Sequence, residues 1–405
     1  MDTITHGIAG ALIGKALFRG DDMLALRPMN RGRIVTWALM LGAIFPDSDT
    51  FRDIFSHNEL LVITWHRSIT HSLVCLPLFA VALAALTGWY TRWHKWDAPS
   101  FAALTGIYAV GILSHILLDL LTSFGTMIWS PLKWSRPAWD VLFIIDFTFT
   151  AIVLVPQILA WVYAKGERLY LRAIGSWLVF VISTFGVAGI ARFAGTPISS
   201  DAIIASILIL AGFFLLPAIR DWGLRFSGIA WNFAGLIVAL GYIALAAFNH
   251  HAALARVENF ASFEHLEASA IGALPLPPSL WRWDGLVLTP HGVYETRITI
   301  GEGPEMAPSS ASAASLSATP LEYAFYPDAL PNSYIEAAKR IPEVQTVLWF
   351  SRFPVTRFRK EGSEAIVEIS DMRFRQIRRD RAPSFTYRVR FSADGNLLSK
   401  GWVRW

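Results

Sequence analysis

Residues 111–125 read GILSHILLDLLTSFG, an apolar run interrupted by His115, Asp119 and a few hydroxyl groups. At a spacing of four, both ionisable side chains leave a helix on the same face. Such groups are costly at hydrocarbon depth, so the run reads as a membrane helix that carries chemistry. The same pair recurs at the start of the chain as Asp2 and His6. Two further clusters flank apolar runs, Pro46-Asp47-Ser48-Asp49 and His66-Arg67-Ser68-Ile69-Thr70-His71. Four clusters whose ligating groups are Asp and His predict a metal site at the edge of a bilayer.

The rest of the chain fits that reading. Of 405 residues 54% are hydrophobic and 16% charged, against about 25% charged in a soluble domain. The net charge is only +4, which gives no argument for nucleic acid. Apolar runs near 3–18, 33–46, 69–90, 101–122, 141–164, 169–191, 202–219 and 228–248 predict about seven or eight helices. A spanning helix needs about 20 residues, so the first two are expected to be tilted, partial or re-entrant. The loops 19–33, 91–100, 165–172 and 220–227 are richer in Lys and Arg than 47–68, 123–140 and 192–200. The richer set belongs in the cytoplasm, which puts every Asp/His cluster at the extracytoplasmic ends. No cleavable leader is expected before the first helix, and Met1 is expected to begin the mature chain. The single Cys75 excludes an internal disulfide and a cysteine-based zinc site.

Beyond residue 250 the pattern changes. Pro275, Pro277 and Pro278 mark a linker, and 301–320 reads as a flexible loop. A short helix is expected at 334–341, with strands at 293–300, 345–353, 365–369, 385–391 and 397–405 and a hairpin turn at Asp394-Gly395. The expected architecture is a polytopic α-helical membrane domain over 1–249 followed by a small, mainly β extracytoplasmic domain over 250–405.

His6, Asp47, Asp49, His66, His71, His115 and Asp119 are the candidate metal ligands. Mixed imidazole and carboxylate donors favour zinc, with manganese as the alternative. Arg67 is the candidate for steadying a phosphoryl group, and Asp146 or Asp2 for accepting a proton. Simpler roles compete. Asp2 can cap the first helix, Arg67 can anchor to lipid headgroups, and Asp146 can orient a ligand or bridge helices. His57 is an outside candidate. The basic stretches 371–375 and 378–381 suit a solvated sheet edge, a headgroup contact or a substrate gate.

The stretches MDTITHGIAGALIG, GAIFPDSD, HRSITHS, SHILLDLLTSFGT and WDVLFIIDFTFT, all within about residues 1–150, resemble the YdjM family. RFPVTR and EISDMRFR near the C-terminus resemble its longer members. The resemblance implies a membrane-bound metal-dependent hydrolase, of a family whose founding member is regulated by LexA in bacteria. It also implies a distant similarity to zinc-dependent phospholipase C and fungal single-strand nucleases, and hence phosphoester hydrolysis. This chain departs from those soluble enzymes, which use more histidines and a free N-terminal tryptophan as ligands. The expected protein is a multi-pass bacterial inner-membrane hydrolase of a lipid or lipid-linked phosphoester, reached by lateral diffusion. A metal or proton transporter, and a membrane-anchored scaffold, are the competing readings. Deleting 250–405 is expected to abolish a scaffold's function but to leave a hydrolase its metal.

Overall fold

The computed structural model describes residues 1–21, 30–52, 56, 58–164, 168–193, 198–277, 279–301, 321–375 and 383–403. The chain forms two compact units, each assembled from separated segments. The first comprises Met1–Asp47, Thr70–Leu118 and Phe147–Tyr242, and the second Ser48–Ile69, Asp119–Asp146 and Ile243–Trp405.

The first unit is helical. Helix α1 (Thr3–Leu17) starts at Asp2, whose carboxylate accepts from the Thr5 amide at 2.9 Å. Helix α2 (Arg31–Ile44) is capped by Asn30 in the same way. The two pack almost backbone to backbone. A Cβ on Gly10 would stand 2.7 Å from the Leu39 carbonyl oxygen and from the Ala43 Cβ. Small residues permit such close approach where hydrocarbon surroundings give helices no hydrophobic drive to associate. After a short helix α3 (Leu61–Thr64), which lies in the second unit, the chain enters α4 (Leu76–Trp93) and α5 (Phe101–Leu120). Gly111 lets α5 approach α2 as closely, since a Cβ there would lie 2.8 Å from the Leu39 carbonyl oxygen. Helix α6 (Phe147–Val162) is tied to α1 by Thr150 against Thr5 (2.7 Å) and by Gln157 donating to the Ile8 carbonyl (2.9 Å). Helices α7 (Leu169–Phe193), α8 (Ser200–Leu215) and α9 (Gly228–Phe263) follow.

Among the described residues four stretches are long and apolar enough to cross a membrane: Phe101–Leu120, Leu169–Arg192, Ser200–Ile219 and Gly228–Phe263. A fifth exists if Leu61–His71 and Leu76–Trp93, bent by 71°, form one broken span. Among the described residues, the seven or eight apolar helices expected are therefore not supported as that many membrane spans. Helices α1, α2 and α6 have only 15, 14 and 16 residues, short of the roughly 20 a span requires. The polar 3-10 turn Phe45–Thr50 ends α2.

The second unit contains two four-stranded antiparallel sheets. Strands β1 (Ala270–Leu276), β2 (Arg282–Thr289), β3 (Gly292–Thr299) and β4 (Tyr323–Pro327) pair in chain order, as do β5 (Pro354–Glu361), β6 (Glu364–Asp371), β7 (Thr386–Phe391) and β8 (Leu397–Trp402). The end of α9 covers the first sheet, where Ala253, Val257 and Phe260 meet Trp283, Val287 and Ile298. On that sheet Asp284 and Glu295 are buried beside Arg297, which approaches them at 3.2 Å each, while Arg375 bonds Glu295 at 2.9 Å. Burial and the Glu295 charge push the Asp284 carboxyl up to about 7, although both arginines oppose this.

Helices α10 (Ser333–Lys339) and α11 (Pro342–Phe350) cover the second sheet. Residues 345–353 were expected as a strand from their β-branched and aromatic content, but Gln345–Phe350 fall within α11. Pro342 is preset for a first helical turn, and Val344, Val347 and Phe350 bury one face at helical spacing. The same core takes in Leu60, Ile63 and Phe124, from the segments that flank α3 and follow α5. Asp394-Gly395 does turn the β7–β8 hairpin, with Gly395 at φ +83°. His57, residues 302–320 and residues 378–381 lie outside the described residues.

Candidate metal centre

Four elements of the first unit bring their polar residues together. Helix α1 carries His6, the 3-10 turn Phe45–Thr50 carries Asp47, the 3-10 turn Ile69–His71 carries His71, and α5 carries His115. All four side chains are buried. The Nε2 atoms of His71 and His115 lie 3.0 Å apart, and the Asp47 Oδ1 lies 3.6 Å and 3.4 Å from them. Tetrahedral zinc with ligands at 2.0–2.1 Å separates neighbouring donor atoms by about 3.3 Å. The observed triangle has that size.

The donor chemistry agrees with the geometry. His115 Nδ1 faces the Ala43 carbonyl oxygen at 2.6 Å, and a carbonyl can only accept. That nitrogen therefore carries the proton, which leaves the lone pair of neutral His115 on Nε2. A backbone carbonyl on the far ring nitrogen is the usual support of a metal-binding histidine. The lone pair points at another imidazole nitrogen and a carboxylate oxygen, which repel unless a proton or cation sits among them. Burial raises the Asp47 carboxyl, but its bonds to His115 and His71 outweigh this and hold it well below the usual carboxylate range. Thr3 donates to the other Asp47 oxygen at 2.5 Å, and the His6 ring stacks on His115 at 3.6 Å between centroids.

One helical turn beyond His115, α5 presents Asp119. One ligand atom from each of Asp47, His71, His115 and Asp119 lies within 4.8 Å of the others, and all four residues are buried. This Asp-His-His-Asp group could hold a metal ion, and its donors fit a divalent one.

The second unit supports Asp119. Arg67, only 2% exposed, meets Asp119 Oδ2 with its Nε at 2.9 Å and donates from Nη1 to Thr122 Oγ1 at 2.8 Å. Its backbone adopts φ +61°, a left-handed geometry uncommon outside glycine. The Arg67 amide donates to Asp49 Oδ2, and the other Asp49 oxygen meets His66 Nδ1, both at 2.9 Å. Arg136 donates to the Ile63, His66 and Gly125 carbonyls. Arg373, from the turn after β6, donates to the Ser123 carbonyl at 2.9 Å and the Phe350 carbonyl at 2.6 Å while pairing with Asp371. The side chain of Arg373 is 2% exposed, so it serves as neither a solvated edge nor a headgroup contact.

Of the ten residues singled out from sequence, Asp47, His71, His115 and Asp119 converge. His6 stacks on the group, while Asp49, His66 and Arg67 bond one another. Asp2 caps α1 and accepts from the Thr5 hydroxyl at 2.7 Å. Asp146 accepts from Ser279 at 2.5 Å, and the same hydroxyl receives the Phe143 amide. Sequence reasoning missed Thr3, the Ala43 carbonyl, Thr122 and Arg136, and it gave the stretch containing Arg373 a different role. Of these only Thr122, three residues after Asp119, had a spacing that could have been read.

Residues 1–193 match the family model described as YdjM inner membrane protein. The match spans α1 to α7 and includes every residue of the Asp-His-His-Asp group. No curated protein matches the chain, and no solved structure matches it. The family match and the apolar helices together support an inner-membrane location.

Proposed function

We propose that this chain, with the YdjM pattern over its N-terminal residues, is a membrane-embedded metal-dependent hydrolase of a lipid or lipid-linked phosphoester. The observation that carries the reading is the buried convergence of His71 Nε2, His115 Nε2 and Asp47 Oδ1, joined by Asp119. Two imidazoles and two carboxylates favour zinc over calcium or magnesium. A divalent ion held there acts as a Lewis acid and brings the pKa of a water it binds toward ~7.

The chain's own residues supply the rest. Thr3 and Ala43 fix Asp47 and His115, and Arg67 with Thr122 fixes Asp119. The cap at Asp2 and the Ser279 bond of Asp146 argue against either as the base. Arg67 is committed to Asp119, so its part is to hold that carboxylate in place rather than to meet a phosphoryl group. The distribution of basic loops favours a site on the extracytoplasmic side, where a phosphoester headgroup would arrive by lateral diffusion.

The test is metal content by mass spectrometry of the purified full chain, wild type beside His115→Ala/Asp119→Ala, followed by assay on phospholipid vesicles. Stoichiometric zinc in wild type, lost in the double variant, together with hydrolysis that stops in Asp119→Asn, is the expected result. No metal in wild type after addition of zinc or manganese overturns the reading. Metal bound tightly with no hydrolysis of any phosphoester shifts it to ion transport.

A further inference from the structure

A groove of about 520 Å³ opens in the first unit between α2, α4 and α5. Its walls include Trp37, Ala38 and Leu41 of α2, Leu83 and Leu86 of α4, and Tyr108 of α5. The volume falls in the range of small-molecule sites, roughly 300–1,000 Å³. The hydroxyls of Thr87, Tyr108 and Thr91, which line it, already have partners. Thr87 and Tyr108 bond each other at 2.6 Å, and the Thr91 hydroxyl donates to the Thr87 carbonyl at 2.9 Å. A polar ligand meeting these hydroxyls would give up its hydrogen bonds to water for partners already engaged. A hydrocarbon chain loses nothing.

The position of the groove says which hydrocarbon. Each of its three helices leads, at one end, to a residue of the metal group. Helix α2 runs into the turn with Asp47, α4 follows the turn with His71, and α5 carries His115. Leu41 precedes Asp47 by six residues and Tyr108 precedes His115 by seven, which at 1.5 Å per residue is about 10 Å along either helix. A chain attached to a headgroup at the Asp/His group and extended along these helices arrives in the groove.

We propose that the groove holds the hydrocarbon tail of a lipid whose phosphoester head lies at the Asp-His-His-Asp group. This rests on the hydrolase reading for the head, while the tail site stands on the groove itself. The aromatic rings of Trp37 and Trp89 stand at its rim, each partly exposed. The tail is the feature the groove selects, so the substrate class is long-chain phospholipid rather than a soluble phosphoester.

The experiment uses the full chain in nanodiscs with a phosphatidic acid that carries a diazirine near the end of one acyl chain. Cross-linked peptides are mapped after illumination, and metal is measured on the same samples. Labelling is expected on peptides containing Ala38, Leu41, Leu83 and Tyr108. It should fall roughly tenfold, the loss expected of a blocked apolar pocket, in Ala38→Trp and in Leu86→Trp. Leu86 is 62% exposed, so its replacement fills the groove without crowding the core, and both variants should keep the metal content of wild type. Groove labelling that persists in both variants, or that is no stronger than on the lipid-facing sides of α7 and α8, overturns the tail site. Absence of metal in wild type with intact groove labelling overturns the hydrolase reading alone.

Discussion

His115 shows how one residue can serve two bonds that need opposite ring nitrogens. Its Nδ1 proton goes to the Ala43 carbonyl, so Nε2 is left to face Asp47 and His71. Asp119 depends in the same way on its supports. Replacing Arg67 with Met should weaken zinc binding about 10- to 100-fold, the usual cost of losing a group that orients a ligand. A competition titration with a chromophoric chelator measures it, and an unchanged affinity would show that Asp119 does not need Arg67. Far from this group, Asp284 gives a pH prediction. Its folded pKa of about 7 exceeds an unfolded value near 3.9, so the native state binds the extra proton. Its contribution to stability should be fully present below about pH 4 and be lost as pH rises to about 7. Asp284→Asn should flatten that slope in the denaturation midpoint, and a slope that survives sinks the assignment. The residues of the Asp-His-His-Asp group stood out because Asp and His are conspicuous in apolar sequence. Their division of labour did not. Whether Asp49 meets a metal or a histidine depends on which oxygen faces which element, and spacing along the chain does not encode that.

The helices are held by what they lack. Gly10 and Gly111 have no Cβ where α1, α2 and α5 touch, and a methyl group there would collide with backbone. Gly10→Val should cost about 1–3 kcal/mol by overpacking, read as a lower thermal midpoint in detergent. Gly106→Ala on α5, where a Cβ would meet nothing within 4 Å, should be neutral or slightly stabilising. Equal losses in both variants would refute a packing role. At this scale the apolar runs marked where helices lie but overcounted the spans, because length decides spanning and the polar turns at 45–50 and 69–71 stop α2 and delay α4. In the C-terminal part alternation marked β3 and strand-like composition marked β6 and β7, whereas 345–350 has strand composition and becomes a helix through Pro342 and the burial of Val344 and Val347. Strand β5 went unread because it is rich in Arg and Lys.

The two compact units cut across the chain order, and this changes what a truncation tells. Leu60, Ile63 and Phe124, which flank the residues that hold Asp119, share one core with the second sheet, and Arg373 clamps the Ser123 carbonyl. Deleting residues 250–405 was expected to leave a hydrolase its metal. The structure argues the opposite outcome: the truncated chain should insert yet lose most of whatever metal the Asp-His-His-Asp group holds, measured as metal per protein. Arg373→Ala should reproduce part of that loss and Arg373→Lys should restore some of it. Retention of full metal by the truncated chain would show that 48–69 and 119–146 hold their shape alone. No local pattern announces such a dependence, since Arg373 and Ser123 are 250 residues apart. The clamp also bears on biosynthesis. Domains generally fold as the ribosome delivers them, N-terminal parts first, but here the surroundings of Asp119 are completed by Arg373, made 250 residues after the Ser123 it bonds. The Asp-His-His-Asp group would thus stay unfinished until β6 and the Arg373 that follows it have been made.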